Sequence, residues 1–138
     1  MRAITCIDDL KALHRARTPK MFYDYAESGS YSEQTFRENT TDFARIRLRQ
    51  KVAVDMSNRS LKGDMVGLPV SMPLGLAPVG FTGMQHADGE IHAARAAEKF
   101  GVPFCLSTMS ICSIEDVAAH TTAPFMFQLY VMKDQEFL

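Results

Sequence analysis

Cysteine is scarce in this sequence and poorly placed for a structural role. Cys6, Cys105 and Cys112 are the only three, odd in number and without a Cys-x-x-Cys pair. That pattern argues against a disulfide framework and against a zinc site. Cys105 falls in an apolar, strand-like run, where a thiol acts as a small packing group. Charge of one sign is also lacking. Lys and Arg number 15 against 16 Asp and Glu, a net charge of −1. Such a balance gives no general case for binding nucleic acid or an anionic membrane. No apolar run approaches the ~20 residues that span a bilayer. The start, Met1-Arg-Ala-Ile-Thr-Cys-Ile-Asp-Asp9, has no apolar signal-peptide core before its first acids, so the expectation is a cytoplasmic protein. No linker, repeat or low-complexity tract breaks the 138 residues, which suggests a single domain.

Helical signals fill the first quarter. Asp8 or Asp9 can cap a helix with Leu10, Leu13 and Ala16 on one face. Thr18-Pro19 suits the start of a second helix through Ser28, with Gly29 placed to end it. Met21, Phe22 and Tyr25 share a face there, a stripe that ordinarily packs as core. Ser30-Tyr-Ser-Glu33 matches a capping box for a third helix reaching about Asn39.

The pattern changes at Ala44. Ile46, Leu48, Val52, Val54 and Met56 alternate with polar residues, the mark of half-exposed strands. Lys62-Gly63-Asp64 and Gly67 between apolar residues predict a hairpin over 60–70, suited to plug the N-terminal mouth of a barrel. The stretch from Met72 to Met84 then reads as a strand buried on both faces, as in a parallel sheet. Pro78 and Gly80 end its ladder and leave bare backbone at the end where parallel α/β folds bind ligands. An ordinary buried strand and turn would also account for the stretch.

Asp88 can cap a helix that presents Ile91, Ala93, Ala94 and Ala97 and stops at Gly101. Val102–Leu106 is a second buried strand, Ser113 caps a short helix with Ile114, Val117 and Ala118, and Pro124–Val131 is a third strand. Lys133-Asp134 opens one more helix. The order β-α-β-α-β predicts an α/β fold with parallel neighbours joined by crossovers. Three strands do not close a (β/α)₈ barrel, which takes ~250 residues. The expectation is the N-terminal part of such a barrel, preceded by a helical segment and a hairpin, from a longer enzyme.

Five motifs in order, Tyr23-Asp-Tyr-Ala-Glu-Ser-Gly29, Ala77-Pro-Val-Gly80, His86-Ala-Asp-Gly-Glu90, Leu106-Ser-Thr108 and Phe127-Gln-Leu-Tyr-Val131, carry a resemblance. Together they resemble the FMN-dependent α-hydroxy-acid dehydrogenase and oxidase family, of the glycolate oxidase and bacterial L-lactate dehydrogenase type. Ala87 departs from the proline many members have there. The resemblance implies one incomplete domain over 1–138: a helical segment at 1–45, strands and hairpin at 46–71, and three barrel strands at 72–138. It implies oxidation of an L-2-hydroxy acid to the 2-oxo acid, with FMN as cofactor. The electron acceptor (oxygen, quinone or cytochrome) stays open. A homo-oligomer and peripheral membrane association are further family expectations for the full-length enzyme.

By the same resemblance, Pro78, Val79 and Gly80 would lie along the flavin ring, with Ser107 and Gln128 hydrogen-bonded to it. Tyr130 would bind the substrate near its hydroxyl or keto oxygen, and Tyr25 its carboxylate. The bland alternatives are polar strand ends for Ser107 and Gln128 and a core tyrosine for Tyr25. Gln128 and Tyr130, two apart on one strand, would face the same way. None of His14, His86, His92 and His120 stands at the family's base position, so the base is expected beyond Leu138 and the 138 residues alone are expected not to turn over. His86 and Glu90 have i, i+4 spacing, but Asp88-Gly89 lies between them, and turn and cap roles fit them better than a metal pair. A rival of another class is a short, non-catalytic half-barrel that binds a partner through its open sheet edge.

Overall fold

The computed structural model describes residues 3–133. They form two compact units, Met1–Arg59 and Ser60–Leu138. The helix expected from Lys133-Asp134 onward lies outside the described residues.

The first unit holds α1 (Ile7–Arg17), α2 (Lys20–Ala26) and α3 (Gln34–Thr41), followed by a 3₁₀ turn at Asp42–Arg45. Local chemistry starts each helix, one to three residues from where the sequence suggested. Cys6, not an aspartate, is the N-cap of α1. Asp9 sits at the third helical position and its carboxylate accepts from the N–H groups of Thr5 and Cys6 at 2.9 and 3.3 Å. Those donors are what an N-terminus leaves unpaired. Pro19 takes the cap position of α2. Ser30 does not cap α3; its carbonyl accepts from Glu33 N–H at 2.9 Å in a turn. Glu33 itself is the cap residue, with a left-handed φ of 56°, and its carboxylate turns back to Gly29 N–H at 3.1 Å. The helical reading of this quarter holds, while its caps shift. None of the three helices buries a residue.

Residues 46–56, expected to hold half-exposed strands, contain none. Ile46, Leu48, Val52, Val54 and Met56 are all exposed, and alternation without a hydrogen-bonding neighbour makes no ladder. The hairpin does form. β1 (Gly63–Met65) pairs antiparallel with β2 (Leu68–Val70), Met65 opposite Leu68. Val66 and Gly67, the two loop residues, have φ of 54° and 75°, the positive values that a two-residue I′ turn demands. Asp64 Oδ1 accepts from Gly67 N–H at 3.0 Å and fixes the turn.

The second unit is α/β, with parallel pairing as expected. β3 (Cys105–Ser107) runs parallel to β4 (Met126–Gln128), with Ser107 level with Gln128. On the other side of β3, the 72–80 stretch joins through a single parallel bridge, Leu76 to Phe104. Leu76 N–H donates to Pro103 O at 2.8 Å and Cys105 N–H to Leu76 O at 3.1 Å. The strand expected from Met72 is therefore short, and it is not buried on both faces: Leu74 and Val79 are exposed. Pro73 and Pro78 cannot donate to a ladder, and the described residues pair it on one side only.

Between the strands lie α4 (Thr82–Gln85), α5 (Gly89–Phe100) and α6 (Ile114–Ala119). Gly101, φ 66°, ends α5 as a left-handed cap. Ser113 caps α6, its hydroxyl accepting from Asp116 N–H at 3.0 Å. The core is Ile91, Ala94 and Ala97 of α5 against Phe104, Leu106 and Val117. The alanines let the helix approach the sheet closely, and Leu106 and Val117 are almost wholly excluded from water. At the far end of α5, Glu98 accepts from the Thr121 hydroxyl at 2.9 Å and Thr122 N–H at 3.1 Å, tying the turn before β4 to the helix.

Candidate functional site

In a parallel sheet the C-terminal strand ends converge on one rim, and their loops carry the chemistry. Here the rim can be read from the register. Ser107 is level with Gln128 on the neighbouring strand. Val79, three residues past the Leu76–Phe104 bridge, borders the same cavity as Ser107, so Val79, Ser107 and Gln128 gather at one rim, with Pro78 and Gly80 flanking Val79.

Ser107 is buried. Its hydroxyl accepts from Met109 N–H at 3.1 Å and lies 3.4 Å from Gln128 Oε1, to which it donates. One hydroxyl therefore orders both its own loop and the neighbouring amide. Gln128 Oε1 is engaged this way, while no bond from its NH₂ group is seen among the described residues. The N–H groups of Val79 and Gly80 likewise donate to no backbone carbonyl among the described residues. Open donors on adjacent strand ends, with no bulky polar side chain between them, suit the acceptor edge of a flat heterocycle. The residues present fit a flavin ring on that ground.

Gly80 sits tightly. A Cβ there would meet Met109 Cβ at 3.3 Å and stand 3.9 Å from Ser107 Oγ. In this structure, the close approach that glycine allows is made by the Met109 loop. The next residue, Phe81, is held at a φ of 56°, a conformation non-glycine residues rarely adopt. Its N–H donates to Met109 O at 2.8 Å, so two strand-end loops are stitched together beside the rim.

Tyr130 lies beyond the end of β4 at Gln128. The two-residue alternation expected to align it with Gln128 stops with the strand, because Tyr130 N–H leaves the ladder for the Thr108 hydroxyl at 3.0 Å. Its side chain is partly exposed. Tyr25 belongs to α2 in the first unit and is exposed rather than packed in a core stripe. Among the histidines, the rings of His86 and His92 meet edge to face at 5.4 Å, and His14 contacts Tyr23 at 5.1 Å. His120 Nδ1 lies 2.7 Å from Asp116 O.

Glu90 is the residue that sequence reasoning missed. Expected as a turn or cap residue, it is 2% exposed. Its Oε1 accepts from Gly83 N–H and Ile111 N–H, both at 3.0 Å. Burial pushes its pKa up, but those two N–H groups, with smaller help from its own N–H and the Cys112 thiol, outweigh that and hold it below the usual glutamate value. Burial and then the Glu90 carboxylate push the Cys112 thiol up. The sequence signalled it only as the end of the His86–Glu90 motif, since its partner Ile111 is 21 residues away. A cavity of about 270 Å³ borders Val79, Thr82, Glu90, Leu106 and Ser107. It is smaller than the ~300–1,000 Å³ of common small-molecule sites.

The family model described as FMN-dependent dehydrogenase matches residues 14–138. The chain is 47% identical over 135 residues to an L-lactate dehydrogenase of Vibrio cholerae, covering 98% of this chain and 36% of that protein. Among solved structures, a soluble mutant of the membrane-associated (S)-mandelate dehydrogenase from Pseudomonas putida superposes with a TM-score of 0.88 at 41% identity, over 94% of this chain and 37% of that one. The monotopic membrane protein (S)-mandelate dehydrogenase gives 0.90 at 39% identity, over 98% and 36%. The chain spans about a third of the length of these relatives.

Proposed function

The chain belongs to the FMN-dependent dehydrogenase family, and from that premise we propose that its protein oxidises an L-2-hydroxy acid, L-lactate or a close analogue, to the 2-oxo acid. The observation that supports this best is the rim where Ser107 stands level with Gln128 on parallel strands and shares a cavity with Val79. FMN, when bound, supplies the two-electron acceptor. The chain's own residues bind and orient it. Val79 and Gly80 offer N–H donors to the ring, with Pro78 leading the bare backbone up to it. Gln128 offers its NH₂ group, while its oxygen is held by Ser107. Ser107 also fixes Met109 N–H, so the rim is ordered before ligand arrives, which lowers the entropic cost of binding.

Tyr130 is the proposed partner of the substrate's hydroxyl or keto oxygen, and Tyr25 of its carboxylate. No histidine of the chain is proposed as the base. On the same reading the 72–80 stretch, β3 and β4 are the first three strands of a (β/α)₈ barrel, the β1–β2 hairpin is its plug, and residues 1–45 are a helical lead-in to one domain. No helix among the described residues is long and apolar enough to cross a membrane. The proposed location is cytoplasmic, with peripheral membrane attachment, a property named for the Pseudomonas putida relative, as the variant to check by fractionation.

The test uses the full natural protein, purified with its flavin. L-lactate should bleach the bound flavin, and Tyr130→Phe should lower turnover about threefold to tenfold, the loss of one hydrogen bond, with flavin content unchanged. Absence of bound FMN from the wild-type protein would sink the reading. An unchanged rate in flavin-loaded Tyr130→Phe would remove Tyr130 from the site.

A further inference from the structure

The rim described above is held by loops, and loops hold a geometry only when something rigid fixes them. Two loops matter: 80–83, after the first parallel strand, and 108–112, after β3. Their direct link is Phe81 N–H to Met109 O at 2.8 Å. Phe81 is left-handed, and such backbone persists only where its surroundings over-determine it. The second link is Glu90, whose single oxygen Oε1 takes Gly83 N–H from one loop and Ile111 N–H from the other. Glu90 is itself fixed, because the next turn of α5 is anchored in the core through Ile91 and Ala94. The fit is close on every side: a Cβ at Gly83 would stand 2.7 Å from Ile111 Cβ and 3.1 Å from Glu90 Oε2. Oε2 is buried without an ordinary hydrogen bond. A charge so buried costs stability, and the two N–H bonds to Oε1 offset that cost.

We infer that Glu90 is a positioning residue for the flavin site, its buried carboxylate pinning the 80–83 and 108–112 loops together so that the Gly80 backbone and Ser107 keep their places on the rim. This rests on the FMN reading of that rim. The route is short on both sides. From Gly83 it passes through Phe81 to Gly80. From Ile111 it passes to Met109, whose N–H is bonded to Ser107 Oγ at 3.1 Å. Glu90 touches neither ring nor substrate on this reading; it acts through the two loops.

The experiment uses the full natural protein as wild type, Glu90→Gln and Glu90→Ala. Each apoprotein is titrated with FMN by fluorescence quenching well below its melting temperature, and the midpoint potential of the bound flavin is recorded. Glu90→Ala leaves the Gly83 and Ile111 N–H groups without their shared acceptor and should weaken FMN binding about tenfold or more, with a shifted potential. Glu90→Gln keeps a carbonyl oxygen for both donors and should stay within about threefold of wild type, a rescue that a mere stability role does not predict. Wild-type affinity and potential in Glu90→Ala, even with a lowered melting temperature, would overturn the inference and leave the FMN reading standing. If Glu90→Ala does not fold, Gly83→Ala wedges the same clamp from the opposite side and should show the same loss; wild-type binding in that variant overturns the inference. Failure of the wild-type protein to bind FMN would overturn the functional reading, and this inference with it.

Discussion

The first unit and the second are built by different means. In the first, no helix buries a residue, and Ile7, Leu10, Met21 and Tyr25 are all exposed. What organises it is short-range: Asp9 on Thr5 and Cys6, Glu33 on Gly29, and ion pairs such as Arg37–Glu33 and Arg45–Asp42. Ion pairs between exposed groups contribute little. In the second unit, α5 and α6 close over β3 with Leu106 and Val117 almost fully buried. Its key polar contacts span many residues: Glu90 to Ile111, Ser107 to Gln128, Glu98 to Thr122. Contacts between segments distant in sequence fix positions that bonds within a few residues cannot. That is why every flavin-facing residue proposed here lies in the second unit, and only Tyr25, for the substrate, in the first.

The largest effect that would sharpen this contrast is on stability. Leu106→Ala should cost about 2–5 kcal/mol, as large-to-small changes in a packed core do. Leu10→Ala, at a half-exposed helix position, should stay within about 0.5 kcal/mol. Urea unfolding of the full natural protein measures both. Equal losses would mean that Leu10 is covered in that protein, and the contrast would fall.

A smaller effect separates site from scaffold within the second unit. Gly80→Val must push against Met109 Cβ, 3.3 Å from the first added carbon, and so part the stitched loops at the rim. Flavin content should drop sharply while the melting temperature falls less than in Leu106→Ala. Normal flavin with a lowered melting temperature would reduce Gly80 to a turn residue.

The smallest effect is in acid. Glu90 has its pKa lowered on folding, burial opposing and the Ile111 and Gly83 N–H groups prevailing. Its stabilisation is therefore complete above the unfolded glutamate value of about 4.3 and is lost as pH falls through the lower folded value. Asp9 is lowered too, chiefly by Thr5, but it is only partly covered, at a helix start. Unfolding free energy followed from pH 6 down to pH 3 should fall less steeply in Glu90→Gln than in wild type, and Asp9→Asn should change the slope less. A Glu90→Gln profile parallel to wild type would show that the carboxylate is not the group being protonated.

Much of this was legible in the residues themselves. Helix α5, with Ile91, Ala94 and Ala97 inward and Gly101 at its end, needs only a 3.6-residue period and a glycine stop. The Ser113 cap and the Val66-Gly67 hairpin are equally local. The parallel order followed from alternating elements, and the motifs around Gly80, Ser107 and Gln128 carried the family. Other features were decided by partners distant in sequence. The alternation from Ile46 to Met56 made no strand, because periodicity places side chains but cannot supply a neighbouring backbone. The helix of residues 34–41 starts at Glu33 rather than Ser30, because that carboxylate closes on Gly29. The strand stops at Gln128, and Tyr130 N–H is bonded to the Thr108 hydroxyl beyond it. Glu90 read as a turn or cap residue until two main-chain segments, one of them 21 residues away, closed on its carboxylate. The sequence by itself determined the helices, the turns and the polar residues available at the strand ends, since bonds within a few residues and a repeating period set those. Tertiary structure alone decided which polar groups share the rim and which carboxylate is buried, because a carboxylate leaves water only where folded backbone brings it donors.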